Sequence, residues 1–234
     1  MTEARPDVPE NVKRQLRQEA GFGCCMCGHP FIQYHHIVPW AEDNHFRPGD
    51  MMVLCGRCHP LCTCGAVPVA DQREHKARPK NIVDGELRGK LYVNARELKV
   101  AVAGGFAIDT PNILVLSGQT VLGAKLDVEK GRVLISAQIH ASNGQILARL
   151  VDNEWSMAPG VVWDFEVHPC HAVVRQGPKN VAFSVDARND TVSVSGRWYH
   201  RGKTLKFTSK QGSVGSSVMR GYTAEQCNAM IMMD

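Results

Sequence analysis

The pattern of apolar and polar positions changes character near residue 85. Before that point, Val12 and Leu16 share one face of a predicted helix over residues 9–20, and Pro9 suits its first turn. A hairpin is predicted over residues 31–38. A further helix should begin near residue 57 or 58 and break at Pro68, and a short one should cover residues 71–77.

After residue 85 the chain alternates apolar and polar positions in short runs, which is typical of antiparallel β-strands. One such run covers residues 133–139, and the turn Asn143-Gly144 leads into another over residues 146–150. Similar runs cover residues 161–167, 181–185, 192–198 and 205–207. We expect a β-sandwich or a related roll, with Trp155, Trp163 and Trp198 in the core or at strand edges.

The cysteines also divide the chain. Seven of the nine cysteines among the 234 residues precede residue 65. The predicted fold class is therefore α+β, with a small metal-stabilised domain over residues 1–84 followed by an all-β, sandwich-like domain over residues 85–234.

Zinc is the expected partner of the clustered cysteines. No apolar run is long enough to cross a bilayer, and the first residues lack the apolar core of a signal peptide, so we expect a cytoplasmic protein without a membrane partner. Closely spaced cysteines in a reducing compartment are more often metal ligands than disulfides.

Two Cys-x-x-Cys pairs can supply a complete tetrahedral zinc shell: Cys24 with Cys27, and Cys55 with Cys58. Such a site has no open position, so the predicted zinc is structural. Cys62 and Cys64 are left as alternative ligands or spare thiols.

Histidines between and beside the pairs indicate a second site. His35 and His36 are neighbours on an extended segment and should point to opposite sides, so a division of labour between metal ligand and general base is favoured. His59 directly follows the second pair and is a further candidate ligand, with structural zinc as its alternative.

In order along the chain, these features resemble the HNH endonucleases of the ββα-metal type. The resemblance covers residues 9–82 and rests on the segment 9–24, Cys27-Gly28, His35-His36-Ile37-Val38-Pro39, Val53-Leu54-Cys55 and Cys58-His59. It implies that His35 and His59 bind a catalytic metal and that His36 is the general base.

Asp50 is a departure from the family pattern, which usually has asparagine five residues before the first cysteine of the second pair. Asparagine at that position mainly orients the loop that holds the base, whereas ionised aspartate accepts hydrogen bonds but donates none. Reduced activity, or a register in which Asn44 takes the role, would follow.

The resemblance implies metal-assisted hydrolysis of DNA to 5′-phosphate products, with RNA as an alternative substrate. The divalent ion is left open among Mg²⁺, Mn²⁺, Ni²⁺ and Zn²⁺. The net charge of +4 permits nucleic-acid binding without requiring it. Candidate phosphate contacts follow the cysteines, at Arg73, Lys76, Arg78 and Lys80.

The role of the β domain is open between recognition of a substrate, of a protein partner or signal, and assembly. The competing function is a catalytically weak, zinc-stabilised nucleic-acid-binding module or an assembly protein. The presence of all three histidines favours the enzyme.

Overall fold

The computed structural model describes residues 6–234, which divide into two compact units. The first unit runs to Arg88 and includes Ala158–Gly160, and the second comprises Gly89–Met157 and Val161–Asp234. The protein is of mixed α+β class and mostly β.

Helices surround a two-stranded sheet in the first unit. Its elements are α1 (Glu10–Glu19), β1 (Ile32–His36), a 3₁₀ turn (Pro48–Asp50), β2 (Met51–Cys55), α2 (Cys58–Thr63), α3 (Val69–Ala77) and α4 (Lys80–Asp84). Val12 and Leu16 are buried on one face of α1, as the apolar spacing predicts. The helix expected to break at Pro68 is α2, which already ends at Thr63.

The predicted hairpin over residues 31–38 is wrong, because that segment forms the single strand β1. Its antiparallel partner is β2, with His35 opposite Met52 and His36 opposite Met51. Every residue of β2 is buried, and the strand packs against α1 and α2. A strand buried on both faces is uniformly apolar, so β2 shows no alternation.

The second unit consists almost entirely of strands. They are β4 (Lys99–Val102), β5 (Gly105–Ile108), β6 (Asn112–Leu116), β7 (Gln119–Asp127), β8 (Arg132–His140), β9 (Ile146–Val151), β10 (Glu154–Met157), β11 (Asp164–His168), β12 (His171–Gly177), β13 (Asn180–Asp186), β14 (Val192–His200), β15 (Lys203–Phe207), β16 (Gly212–Val214), β17 (Ser217–Met219), β18 (Thr223–Glu225) and β19 (Ala229–Met233). The strand β3 (Leu87–Lys90) spans the boundary between the units.

These strands form two sheets. One has the order β19-β6-β7-β8-β9-β10 with β3 at its edge, and the other runs from β11 through β17 in sequence order. In the second sheet β4 pairs with β14, β5 with β4, and β18 with β5. The expectation of purely antiparallel pairing is wrong at three places, since β4 with β14, β5 with β18 and β6 with β19 are parallel. The strand expected over residues 161–167 begins later, at Asp164.

The core of the second unit lies where β8 of one sheet faces β13 and β14 of the other. Trp155, Phe165 and Phe183 are buried there in edge-to-face contacts. Trp198 is also buried, and its indole N–H donates to the carbonyl of Gln138 at 3.2 Å. Trp155 and Trp198 are therefore core residues, as the sequence predicts.

Candidate functional site

The four cysteines of the two Cys-x-x-Cys pairs converge in the first unit. Their sulfur atoms, from Cys24, Cys27, Cys55 and Cys58, all lie within 4.8 Å of one another. The Cys27 and Cys55 sulfurs are 3.6 Å apart, and those of Cys58 and Cys27 are 3.8 Å apart. Sulfurs bound tetrahedrally to one zinc at about 2.3 Å are about 3.8 Å apart. The cluster thus has the ligand type and spacing of a structural zinc site.

Backbone N–H groups around the cluster oppose the effect of burial on the pKa of two of its thiols, those of Cys24 and Cys55. Burial raises the pKa of the Cys24 thiol, although the N–H groups of Cys55, Cys27 and Met26 act to lower it. Burial also acts to raise the pKa of Cys55, but the N–H groups of Cys58 and Arg57 and the neighbouring thiols bring it to about 7. A dication among four such sulfurs would hold them deprotonated.

The remaining cysteines of the first unit stand outside this cluster. Burial raises the pKa of Cys25 to about 11. The Cys62 sulfur is buried and contacts the sulfur of Met26 at 3.7 Å, while Cys64 is exposed. The symmetric pairing is therefore the arrangement present, and Cys62 and Cys64 are spare thiols.

The helix α4 fastens the loop that carries the first pair. Asn81 is buried, and its side-chain amide donates to the carbonyls of Gly21 at 3.1 Å and Gly28 at 3.2 Å. The Lys80 N–H donates to the Cys25 carbonyl at 3.0 Å. A Cβ at Gly23 would lie 2.3 Å from the Asn81 amide nitrogen, so glycine is required for this close approach.

His35, at the end of β1, is held by Gln72 of α3. Both side chains are buried, and His35 Nε2 lies 3.0 Å from Gln72 Oε1. The Gln72 amide nitrogen donates to the Val67 carbonyl at 2.9 Å, which fixes the amide orientation and leaves its oxygen toward His35. His35 Nε2 therefore carries a proton, and the lone pair is on Nδ1. Burial lowers the pKa of His35 and so favours the neutral ring, although the hydrogen bond to Gln72 acts to raise this pKa.

His36 is oriented by a different segment. Its Nε2 lies 2.9 Å from the carbonyl oxygen of His45, which can only accept, so Nε2 carries the proton and Nδ1 the lone pair. The His36 ring lies edge-on to Trp40, with centroids 5.6 Å apart. The buried His45 is itself held, because the Arg47 N–H donates to its Nδ1 at 3.2 Å.

His59 is the second residue of α2 and follows Cys58 of the cysteine cluster. Its ring lies perpendicular to that of His35, with centroids 5.0 Å apart. Two imidazoles that share one ion tetrahedrally at about 2.1 Å have centroids about 5 Å apart. The centroid separation of His35 and His59 is close to this value.

Asp50, the last residue of the 3₁₀ turn, forms hydrogen bonds to α3 and to the residue that follows β1. Its carboxylate accepts from Arg47 at 2.9 Å and from Arg73 at 2.7 Å, and these hydrogen bonds, Arg73 first, lower its pKa to about 2. The Asp50 carbonyl accepts from the Ile37 N–H at 2.8 Å. The connection to the strand that bears His36 is therefore made by backbone, which aspartate and asparagine share. Asn44 is exposed in the loop before it.

The predicted phosphate contacts occupy α3, its end and the start of α4. Arg73 is paired with Asp50, Lys76 with Glu19 at 2.8 Å, and Lys80 with Asp84 at 2.8 Å. Arg78 is exposed and shares a depression of about 210 Å³ with Lys80. Three of the four cations are therefore partly neutralised by acidic neighbours.

Three supporting residues had no sequence signal: Gln72, Asn81 and His45. Each acts on a residue or backbone group from another part of the chain, 37 residues away for Gln72 and His35. None belongs to a short motif of recognisable spacing.

None of the helices in residues 6–234 has the length and apolar character needed to cross a bilayer. Comparison of this chain with known protein families, with curated proteins and with solved structures finds no match.

Proposed function

We propose that the first unit is a metal-dependent endonuclease of the HNH kind that hydrolyses phosphodiester bonds in DNA. The observation that carries the proposal is the strand-strand-helix arrangement that sets the His35 and His59 rings 5.0 Å apart. The next residue along the strand, His36, is held separately as an imidazole protonated on Nε2.

The division of labour follows from the two hydrogen bonds. His36 Nδ1 has the lone pair that can take a proton from water, and the His45 carbonyl stabilises the positive charge that develops on the ring. The deprotonated water oxygen bonds to phosphorus, the bond from phosphorus to the 3′ oxygen breaks, and solvent protonates the leaving oxygen.

His35 and His59 would hold the divalent ion, which supplies charge stabilisation for the phosphoryl oxygens when bound. The Gln72 amide keeps His35 in the tautomer whose Nδ1 can bind a metal. A histidine that binds a metal through one nitrogen commonly donates its other N–H to such an acceptor. Imidazole ligands with open positions accept Zn²⁺, Ni²⁺ or Mn²⁺, and Mg²⁺ through additional waters.

The decisive measurement is cleavage of supercoiled plasmid by the zinc-loaded protein with Mg²⁺, Mn²⁺, Ni²⁺ or Zn²⁺. We expect His36→Ala to lower the rate by about 10²–10⁴-fold, the usual contribution of a general base. The matched control is His75→Ala, which changes a partly exposed histidine of α3 and should cut at the wild-type rate.

Unchanged cleavage by His36→Ala would contradict the assignment of the base. Absence of metal-dependent cutting by the wild type, with zinc bound and DNA affinity retained, would favour the alternative of a zinc-stabilised nucleic-acid-binding module. Loss of DNA affinity as well would favour an assembly protein.

A further inference from the structure

The outer face of the strands β12 to β15 carries a basic depression of about 440 Å³. Its cations are Arg175, Lys179, Arg197 and Lys206, and no aspartate or glutamate lines it. The depression lies wholly within the second unit.

Two of these cations are placed against each other by the strand register. Arg197 of β14 lies directly opposite Lys206 of β15, and both point outward. Like charges directly opposite on neighbouring strands are destabilising. Among residues 6–234, no carboxylate pairs with either of them, whereas Arg175 has Glu166 as its partner. An anion over the pair would remove this repulsion.

Lys179 occupies an unusual backbone position at the edge of the same depression. It is in the two-residue turn between Gly177 and Asn180, with φ at +60°. Glycine or asparagine is favoured at a turn position with positive φ. The chain thus has a cation where backbone conformation favours a small residue.

The spacing of the cations indicates how many phosphates they could contact. Neighbouring strands are about 4.8 Å apart, so Arg175 on β12 and Lys206 on β15 are separated by about 14 Å across the sheet. Between them, the hydroxyl residues Ser184 and Ser195 lie directly opposite each other and line the depression. A row of this length exceeds one phosphate group and matches several phosphates of a polynucleotide strand.

We propose that this face binds the phosphate backbone of a polynucleotide. Arginine and lysine would neutralise the phosphates, and the serine hydroxyls would donate to their oxygens. The proposal rests on the proposed nuclease function for the class of ligand, and it assigns to the second unit a contact with that ligand.

The test is a salt titration of DNA affinity with the zinc-loaded 234-residue His36→Ala chain and a fluorescent DNA duplex, without added catalytic metal. In this background, Arg197→Gln with Lys206→Gln is compared with Lys125→Gln and Lys130→Gln. The control pair removes the same charge from β7, where Lys125 is paired with Asp152, and from the turn that follows β7. Two lost phosphate contacts should reduce the slope of log affinity against log salt by about 1.8. We expect at least a tenfold loss of affinity at low salt for the first variant and a much smaller loss for the control.

Equal losses in the two variants would overturn the proposal, because they would show only the effect of net charge. Tight binding of a mononucleotide that is lost in the first variant, with DNA affinity unchanged, would overturn it in favour of a small phosphorylated ligand. A midpoint temperature of thermal unfolding equal to that of the wild type would verify that the fold of the first variant is intact.

The outcome is separable from that of the nuclease. A reduced slope for the first variant, together with a wild-type protein that cuts no plasmid with any of the four ions, would support the binding face and contradict the enzyme. Metal-dependent plasmid cleavage by the wild type, together with an unchanged slope for the first variant, would support the enzyme and contradict the binding face.

Discussion

Acceptor-only oxygen atoms set the proton positions of the two adjacent histidines. The His45 carbonyl fixes His36 directly, and the Val67 carbonyl fixes His35 through the orientation of Gln72. Both rings therefore have the same tautomer, although they face different segments. Because the tautomers are the same, the surroundings of each Nδ1 decide which ring binds a metal and which acts as the base.

Gln72 offers a direct test of this arrangement. Gln72→Leu should weaken binding of Mn²⁺ or Ni²⁺ to the zinc-loaded protein by about 10–100-fold, because the acceptor that orients His35 is lost. Isothermal titration calorimetry measures the affinity without requiring turnover.

Gln33→Leu is the matched control for Gln72→Leu, since Gln33 is exposed on the same strand as His35. It should bind the ion as the wild type does. Equal affinity for all three proteins would show that Gln72 does not position a metal ligand.

At this scale the sequence predicted the residues of strong motifs and missed those that orient them. The four cysteines converge as their x-x spacing requires, because each pair is a local chelating unit. Gln72 and His45 could not be inferred, since each meets its histidine only after β1, the loop and α3 have folded.

Among the elements, the five-residue helix α4 holds the loop that carries the first cysteine pair. It was not predicted, yet its Asn81 supplies both donors to the loop that carries the first cysteine pair. Asn81→Ala leaves two buried carbonyls without these donors, at a cost of about 1–3 kcal/mol. We expect urea to release zinc at a lower concentration, as measured with a chromogenic chelator.

The comparison for that measurement is Asn44→Ala, which changes an exposed asparagine of the same unit. Zinc release from this protein should follow the wild-type curve. If Asn81→Ala releases zinc at the same urea concentration as the wild type, α4 contributes little to the stability of the loop.

Element prediction succeeded where periodicity is local and failed where pairing is distant. The helix α1 and the strands β8 and β9 follow from apolar spacing and from the Asn143-Gly144 turn. The partner of β1 lies 15 residues beyond it, and the three parallel pairs join still more distant segments, for which alternation specifies no register.

At the scale of the whole chain, the two units are stabilised by different means. The apolar cluster of the first unit includes Cys24, Cys55 and Cys58, and Cys27 packs against it, so the core and the candidate zinc site are continuous. The second unit has a large apolar core with buried aromatic rings.

Metal removal should therefore act on one unit. We expect one zinc per chain by elemental analysis, and we expect a strong chelator to abolish hydrogen-exchange protection in β1 and β2 while β8 and β14 stay protected. The expected effect is large, because structural zinc binding contributes about 10–16 kcal/mol in small zinc domains.

Cys58→Ser should lose the zinc, whereas Cys64→Ser, which changes an exposed thiol, should retain it. Loss of protection throughout the chain on chelation would contradict the assignment of zinc to the first unit alone.

The parallel pairing of β19 with β6 has a consequence for synthesis of the chain on the ribosome. Residues 112–116 are made more than a hundred residues before their partners at 229–233. One edge of β6 must remain open through that interval, and open strand edges are templates for aggregation. Completion of this sheet during translation therefore waits for the segment that supplies β19, and pairing across so long a sequence separation favours slow folding.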